Sequence, residues 1–142
     1  MKTIVYQNFE ETLDVTLEVG TYLNNTLAID IIVAETGECW TTATLNREVP
    51  MPYGVAIIKN YSENEGIFEW LKKNNLIKEH LFSYDSGFVS CPVVIVNMEK
   101  LAEFDPKGTA KYKRLHKNFK QIEKQLFEKK ASCLDDFRKY QL

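Results

Sequence analysis

Two runs near the amino terminus alternate apolar and polar residues with a period of two. Leu13, Val15, Leu17 and Val19 form the first, and Leu27, Ile29, Ile31 and Val33 the second. Successive side chains of an extended chain point to opposite faces, so runs of this kind bury one face and solvate the other as β-strands. Glu35-Thr36-Gly37-Glu38 supplies a turn after the second run, and Cys39 to Leu45 can return as the other arm of a hairpin. Pro50 and Pro52 punctuate the chain before a short apolar run, Val55 to Ile58. Ser86-Gly87 offers another turn, after which Phe88-Val89 and Val93 to Val96 complete the sheet. Pro92 has no N–H to give to a ladder and marks an edge, a bulge or a strand start. A chain of 142 residues suits one domain with a single core. These patterns predict an α+β fold built on a mainly antiparallel sheet.

One short helix is predicted over residues 63–73, packed against a face of that sheet. Ser62 and Glu65 have the spacing of a capping box, in which each side chain satisfies a backbone N–H at the helix start. Glu63 and Glu65 suit the positive end of the helix dipole. Ile67, Trp70 and Leu71 share one face, and Asn74 or Asn75 can adopt the left-handed conformation that ends a helix. Every prominent residue of this stretch has a folding role.

From Thr109 the period changes. Tyr112, Leu115, Phe119, Ile122 and Leu126 follow 3-4 spacing, a narrow apolar stripe for helix packing or a dimer seam. Lys113, Lys117, Lys120 and Lys124 fall within about 60° of one another on the opposite side. Ser132 stands three residues before Asp135, a second possible cap, so one helix or two with a bend fit residues 109–140 equally. The charge is divided along the chain. Residues 1–106 carry 7 Lys/Arg against 16 Asp/Glu, a balance of −9, whereas 107–130 carry 9 against 2, a balance of +7. Asp105-Pro106-Lys107-Gly108 breaks the pattern between them. The expected organisation is therefore an acidic α+β domain over 1–106 and a helical extension over 107–142, basic over 107–130.

Reactive chemistry is poorly represented. His80 and His116 are the only histidines, and a Cys–His pair drawn from His80 to Cys91 or Cys39 has no spacing signal behind it. No C-x-x-C or H-x-x-x-H spacing suggests zinc, and Glu65-Gly66 lacks the glycine pattern of a phosphate loop. Asp85-Ser86-Gly87 reads as a turn. No catalytic residue, metal ligand or cofactor is expected, and a non-enzyme is the expectation. No run approaches the roughly 18 apolar residues of a membrane span. The first residues lack the apolar core of a secretory signal, and Cys39, Cys91 and Cys133 are odd in number and far apart. A bacterial cytoplasm with reduced thiols fits that pattern.

Four fragments carry a resemblance: "LAIDIIVAETGE" at 27–38, "ATLN" at 43–46, "IIKNYSENEGIFEWL" at 57–71 and "SGFVSCPVV" at 86–94. In this order and spacing, residues 25–97 resemble a family of small bacterial domains of unknown function found on phages, plasmids and conjugative elements. The resemblance implies a context without a mechanism. Small acidic proteins of mobile elements are often antagonists of host defence. The leading expectation is accordingly a non-enzymatic interaction protein, an antagonist that binds a host defence protein such as a CRISPR nuclease. A homodimer through the C-terminal helix is a further possibility. The alternative is a nucleic-acid-binding module that uses Lys113, Lys117, Lys120 and Lys124.

Overall fold

The computed structural model describes residues 2–7, 11–47 and 51–129, with side chains as far as Lys117 and that of Ser86 excepted. Among these residues the fold is α+β, with antiparallel sheets and three helices. Where one sheet was expected there are two, each of four strands. The first is a meander of β1 (Ile4–Gln7), β2 (Thr12–Thr21), β3 (Leu27–Val33) and β4 (Cys39–Thr42), in that spatial order. The second joins β5 (Thr44–Leu45), β6 (Val55–Ile58), β7 (Ile77–Ser86) and β8 (Val89–Val96) in the order β5-β6-β8-β7.

The expected hairpin arm at residues 39–45 divides at Ala43. Its N–H donates to Ile29 in β3 at 2.8 Å, and its carbonyl accepts from the Lys59 N–H at 2.9 Å. One fully buried residue thus belongs to both sheets, and the small alanine side chain lets the two backbones meet there. Pro92 lies within β8, opposite Ser83 of β7 and one residue past the pairing of Val93 with Ile57. The pairing of β6 with β8 stops at Val93, so Pro92 lies just outside that ladder and the central strand tolerates it.

The alternating residues of β2 and β3 behave as their period requires. Val15, Leu17, Ile29 and Ile31 enter the main core, joined by Ala56 and Ile58 of β6 and Val94 and Val96 of β8. Each fully buried Leu or Ile stabilises the fold by about 1.5–3 kcal/mol relative to exposure. Three helices close this core. They are α1 (Ile67–Lys73), α2 (Met98–Phe104) and α3 (Pro106–Lys129). The short α2 was not anticipated. Asn97 caps it by accepting the Lys100 N–H, and Leu101 and Phe104 are buried, but seven residues are too few to show a period.

The capping box at the start of α1 does not form. Ser62 is left-handed at φ 57 and opens a single 3₁₀ turn, Ser62–Asn64, with no side-chain cap. Glu65 ends that turn, and Gly66, at φ 89, redirects the chain into α1. The cap comes from Asn60 instead, whose Oδ1 accepts the Phe68 N–H at 3.0 Å. Asn64 is fully buried; it accepts from the Thr41 hydroxyl at 2.6 Å and donates to the Thr42 carbonyl at 2.9 Å. The carboxyl end of α1 forms as its sequence predicts. Asn75 is left-handed at φ 61, with Asn75 N–H on the Lys72 carbonyl and Leu76 N–H on that of Leu71. This is a Schellman motif, and Leu71 and Leu76 meet in the core as that motif favours.

The break at residues 105–108 is the start of α3. Asp105 Oδ1 accepts the Gly108 N–H and its Oδ2 accepts the Val19 N–H, both at 2.9 Å. Pro106 at the first helical position loses no needed donor. Thr109, Tyr112 and His116 are buried, whereas Leu115 is half-buried. The buried side of this described segment is thereby turned roughly 70° from the centre of the expected apolar stripe. Phe119, Ile122 and Leu126 lie outside the described side chains.

Candidate functional site

The second sheet is apolar on both faces. β6 reads Val-Ala-Ile-Ile and all four residues are buried. Ala56 and Ile58 face the main core, while Val55, Ile57, Cys91 and Val93 form a second cluster on the other side. Strand pairing extends that outer face onto β7, because directly opposed residues share a side. Phe82 lies opposite Val93, and Tyr84 opposite Cys91. Half-buried Leu45, Met51, Tyr61, Tyr84, Val89 and Ile95 surround the cluster.

The hairpin that carries this face also exposes large apolar side chains. Phe82 is 56% exposed, Leu81 42% and Phe88 108%. Leu81 is the extra residue where the register shifts between His80 and Phe82. Phe88 follows Gly87 in a two-residue connection between Ser86 and Val89, and Gly87 at φ 66 meets the requirement of a II′ turn. The Arg47 guanidinium lies 4.1 Å from the centre of the Tyr84 ring, and Lys59 Nζ lies 5.6 Å from that of Tyr61. Aromatic, methionine and arginine side chains around an apolar centre are what protein interfaces concentrate.

β7 was not read as a strand. Its residues Lys78 to Ser83 are all exposed, so no alternation reaches the sequence. It is a strand because it pairs with β8 from Ile77 to Ser86. A signal for the site did exist in Leu81-Phe82 and Phe88, large apolar residues flanking a predicted turn.

The histidines and cysteines do not combine. His80 is opposite Val94 and packs edge-on against Phe68 at 5.3 Å, on the main-core side. Cys91 belongs to the outer cluster, on the other face of the same sheet. Cys39 is on β4, where burial and the Asp30 carboxylate push its thiol up. His116 lies on α3, and its Nε2 donates to the Met51 carbonyl at 3.2 Å, since a carbonyl only accepts. Tyr53 stacks on Tyr112, and His116 meets both rings edge-on. Among the described residues, no group of three or more His, Cys, Asp and Glu is placed to hold a metal ion, and no helix is long and apolar enough to cross a membrane.

Of the expected basic stripe, Lys113 and Lys117 are exposed, and neither forms an ion pair among the described residues. Lys120 and Lys124 lie outside the described side chains. Tyr112 takes its place in this chain's own core, with its hydroxyl on the Gly54 N–H.

No family model, curated protein or solved structure matches the chain.

Proposed function

We propose that this chain is a non-enzymatic interaction protein whose partner docks on the outer face of the second sheet. The observation that carries the reading is Phe82, more than half exposed beside the fully buried Val93. Among the described residues, three of the six exposed large apolar ones, Leu81, Phe82 and Phe88, stand on the same hairpin. The resemblance over residues 25–97 supplies the context, in which the partner is a host defence protein such as a CRISPR nuclease and the chain its antagonist in the bacterial cytoplasm. Tagged protein should retain one stoichiometric partner from a bacterial lysate, and Phe82→Asp should lose it with an unchanged circular dichroism spectrum. A lysate that yields no stoichiometric partner, or a partner indifferent to Phe82→Asp, removes this surface from consideration.

A second reading is favoured by Lys113 and Lys117, which are exposed and form no ion pair among the described residues. On it, Lys120 and Lys124 continue a basic stripe along a long amphipathic helix that binds nucleic acid. Replacing all four by Gln would then lower the salt slope of DNA binding by about 0.9 per lost phosphate contact. Absence of DNA binding by the unmodified protein near 50 mM salt retires it.

A further inference from the structure

β1 is an edge strand. Among the described residues its one strand neighbour is β2, and its other edge borders a cleft of about 720 Å³ whose far wall is α1. In an antiparallel ladder each residue sends both backbone groups to the same side, and the side alternates along the strand. The Trp70 indole Nε1–H donates to the Val5 carbonyl at 2.8 Å. Val5 therefore directs its backbone away from β2 and into the cleft, and Gln7, two residues on, does the same.

The indole holds the position that an N–H of a fifth strand would occupy. It is kept there by an edge-on contact with Tyr6, with ring centres 5.0 Å apart, yet Trp70 itself is only half-buried. The walls select for charge. Glu65 and Glu69 are exposed on the α1 side and form no ion pair among the described residues. Among the described residues Lys73 is the one basic residue lining the cleft. On the other side Val5 is 54% exposed, an apolar neighbour for the alternate side chains of an added strand.

We infer that this cleft takes an extended peptide segment bearing lysine or arginine, added as a strand to β1 with one of its backbone N–H groups replacing the Trp70 indole on the Val5 carbonyl. Main-chain bonds supply the register. Basic side chains at every second position reach Glu65 and Glu69, and β-branched ones between them lie beside Val5. The site is separate from the outer face of the second sheet, and its test does not depend on that reading.

The probe is a capped hexapeptide alternating lysine and valine, titrated into a Trp40→Phe protein so that Trp70 is the only tryptophan. Saturable binding with a shift in Trp70 emission is expected, because the indole leaves both Tyr6 and Val5. The Glu65→Gln/Glu69→Gln protein should bind about twofold to thirtyfold more weakly, the range of two exposed ion pairs. N-methylation of one alternate set of peptide amides should abolish binding, and methylation of the other set should leave it intact, since only one edge of the peptide meets β1. No saturable signal up to millimolar peptide, or any other response to the two methylations, overturns the inference. Phe82→Asp should leave the titration unchanged, so that failure at one surface is distinguishable from failure at the other.

Discussion

The hydroxyl of Tyr112 accepts the backbone N–H of Gly54 at 2.8 Å across 58 residues of sequence. Burial and then the neighbouring Tyr53 raise the phenol to about 12, although the Gly54 bond pulls the other way. An unfolded tyrosine titrates near 10, so between about pH 10 and 12 the unfolded chain has lost a proton that the folded chain retains. Stability from this group is complete below pH 10 and falls as pH rises towards 12, by on the order of 2 kcal/mol. Urea melts at pH 9 and 11 should show that fall, and it should shrink in Tyr112→Phe. The same substitution should lower stability at neutral pH by about 1–3 kcal/mol, because a buried N–H loses its acceptor.

Gly108 reverses an ordinary rule. In a helix interior, Gly to Ala normally stabilises by about 1 kcal/mol. Here a Cβ would stand 2.5 Å from the Val19 carbonyl oxygen (Asp105 Oδ2 would be closer still). The nearest backbone belongs to β2 and does not yield easily. Gly108→Ala should therefore destabilise by more than about 2 kcal/mol, and a raised melting temperature would contradict the close approach of α3 to β2.

Ser62 and Asn64 divide the roles that a capping box would have joined. Ser62→Ala should change stability by less than about 0.5 kcal/mol, well below the loss of a true cap. Ser62→Gly should stabilise slightly, since φ 57 suits glycine. Asn64→Ala should cost about 2–3 kcal/mol, with the Thr41 hydroxyl and the Thr42 carbonyl left unpartnered. Chemical denaturation of the three variants separates these outcomes.

Glu18 stands directly opposite Asp30 in the β2–β3 register. Asp30 Oδ1 also accepts from the Thr42 hydroxyl at 2.7 Å, which leaves Glu18 the member to change. Glu18→Gln should raise stability by roughly 0.2–1 kcal/mol by removing the cross-strand repulsion. That gain should diminish in high salt, where exposed charges are screened.

The sequence by itself determined what one buried face imposes on a local segment. The alternation in β2 and β3 places Val15, Leu17, Ile29 and Ile31 in the core, because a pleated strand has no other way to hide every second side chain. Asn75 ended α1 for an equally local reason, its tolerance of a left-handed backbone. Tertiary structure decided the rest. Ala43 passes from one sheet to the other through bonds to Ile29 and Lys59, 14 and 16 residues away, and nothing in residues 39–45 marks the crossing. β7 has no buried face to produce a period and is a strand only because β8 lies beside it. The candidate interface was legible as apolar residues around a turn, but not as a face. Phe82 joins Val93, Cys91 and Ile57 only once the pairings of β6, β7 and β8 set their registers. His116 shows the same limit, since its burial follows from the approach of Tyr53 and Met51, more than 60 residues earlier in the chain. A periodic pattern records which side of one segment meets the core, whereas long-range pairing settles which segments meet each other.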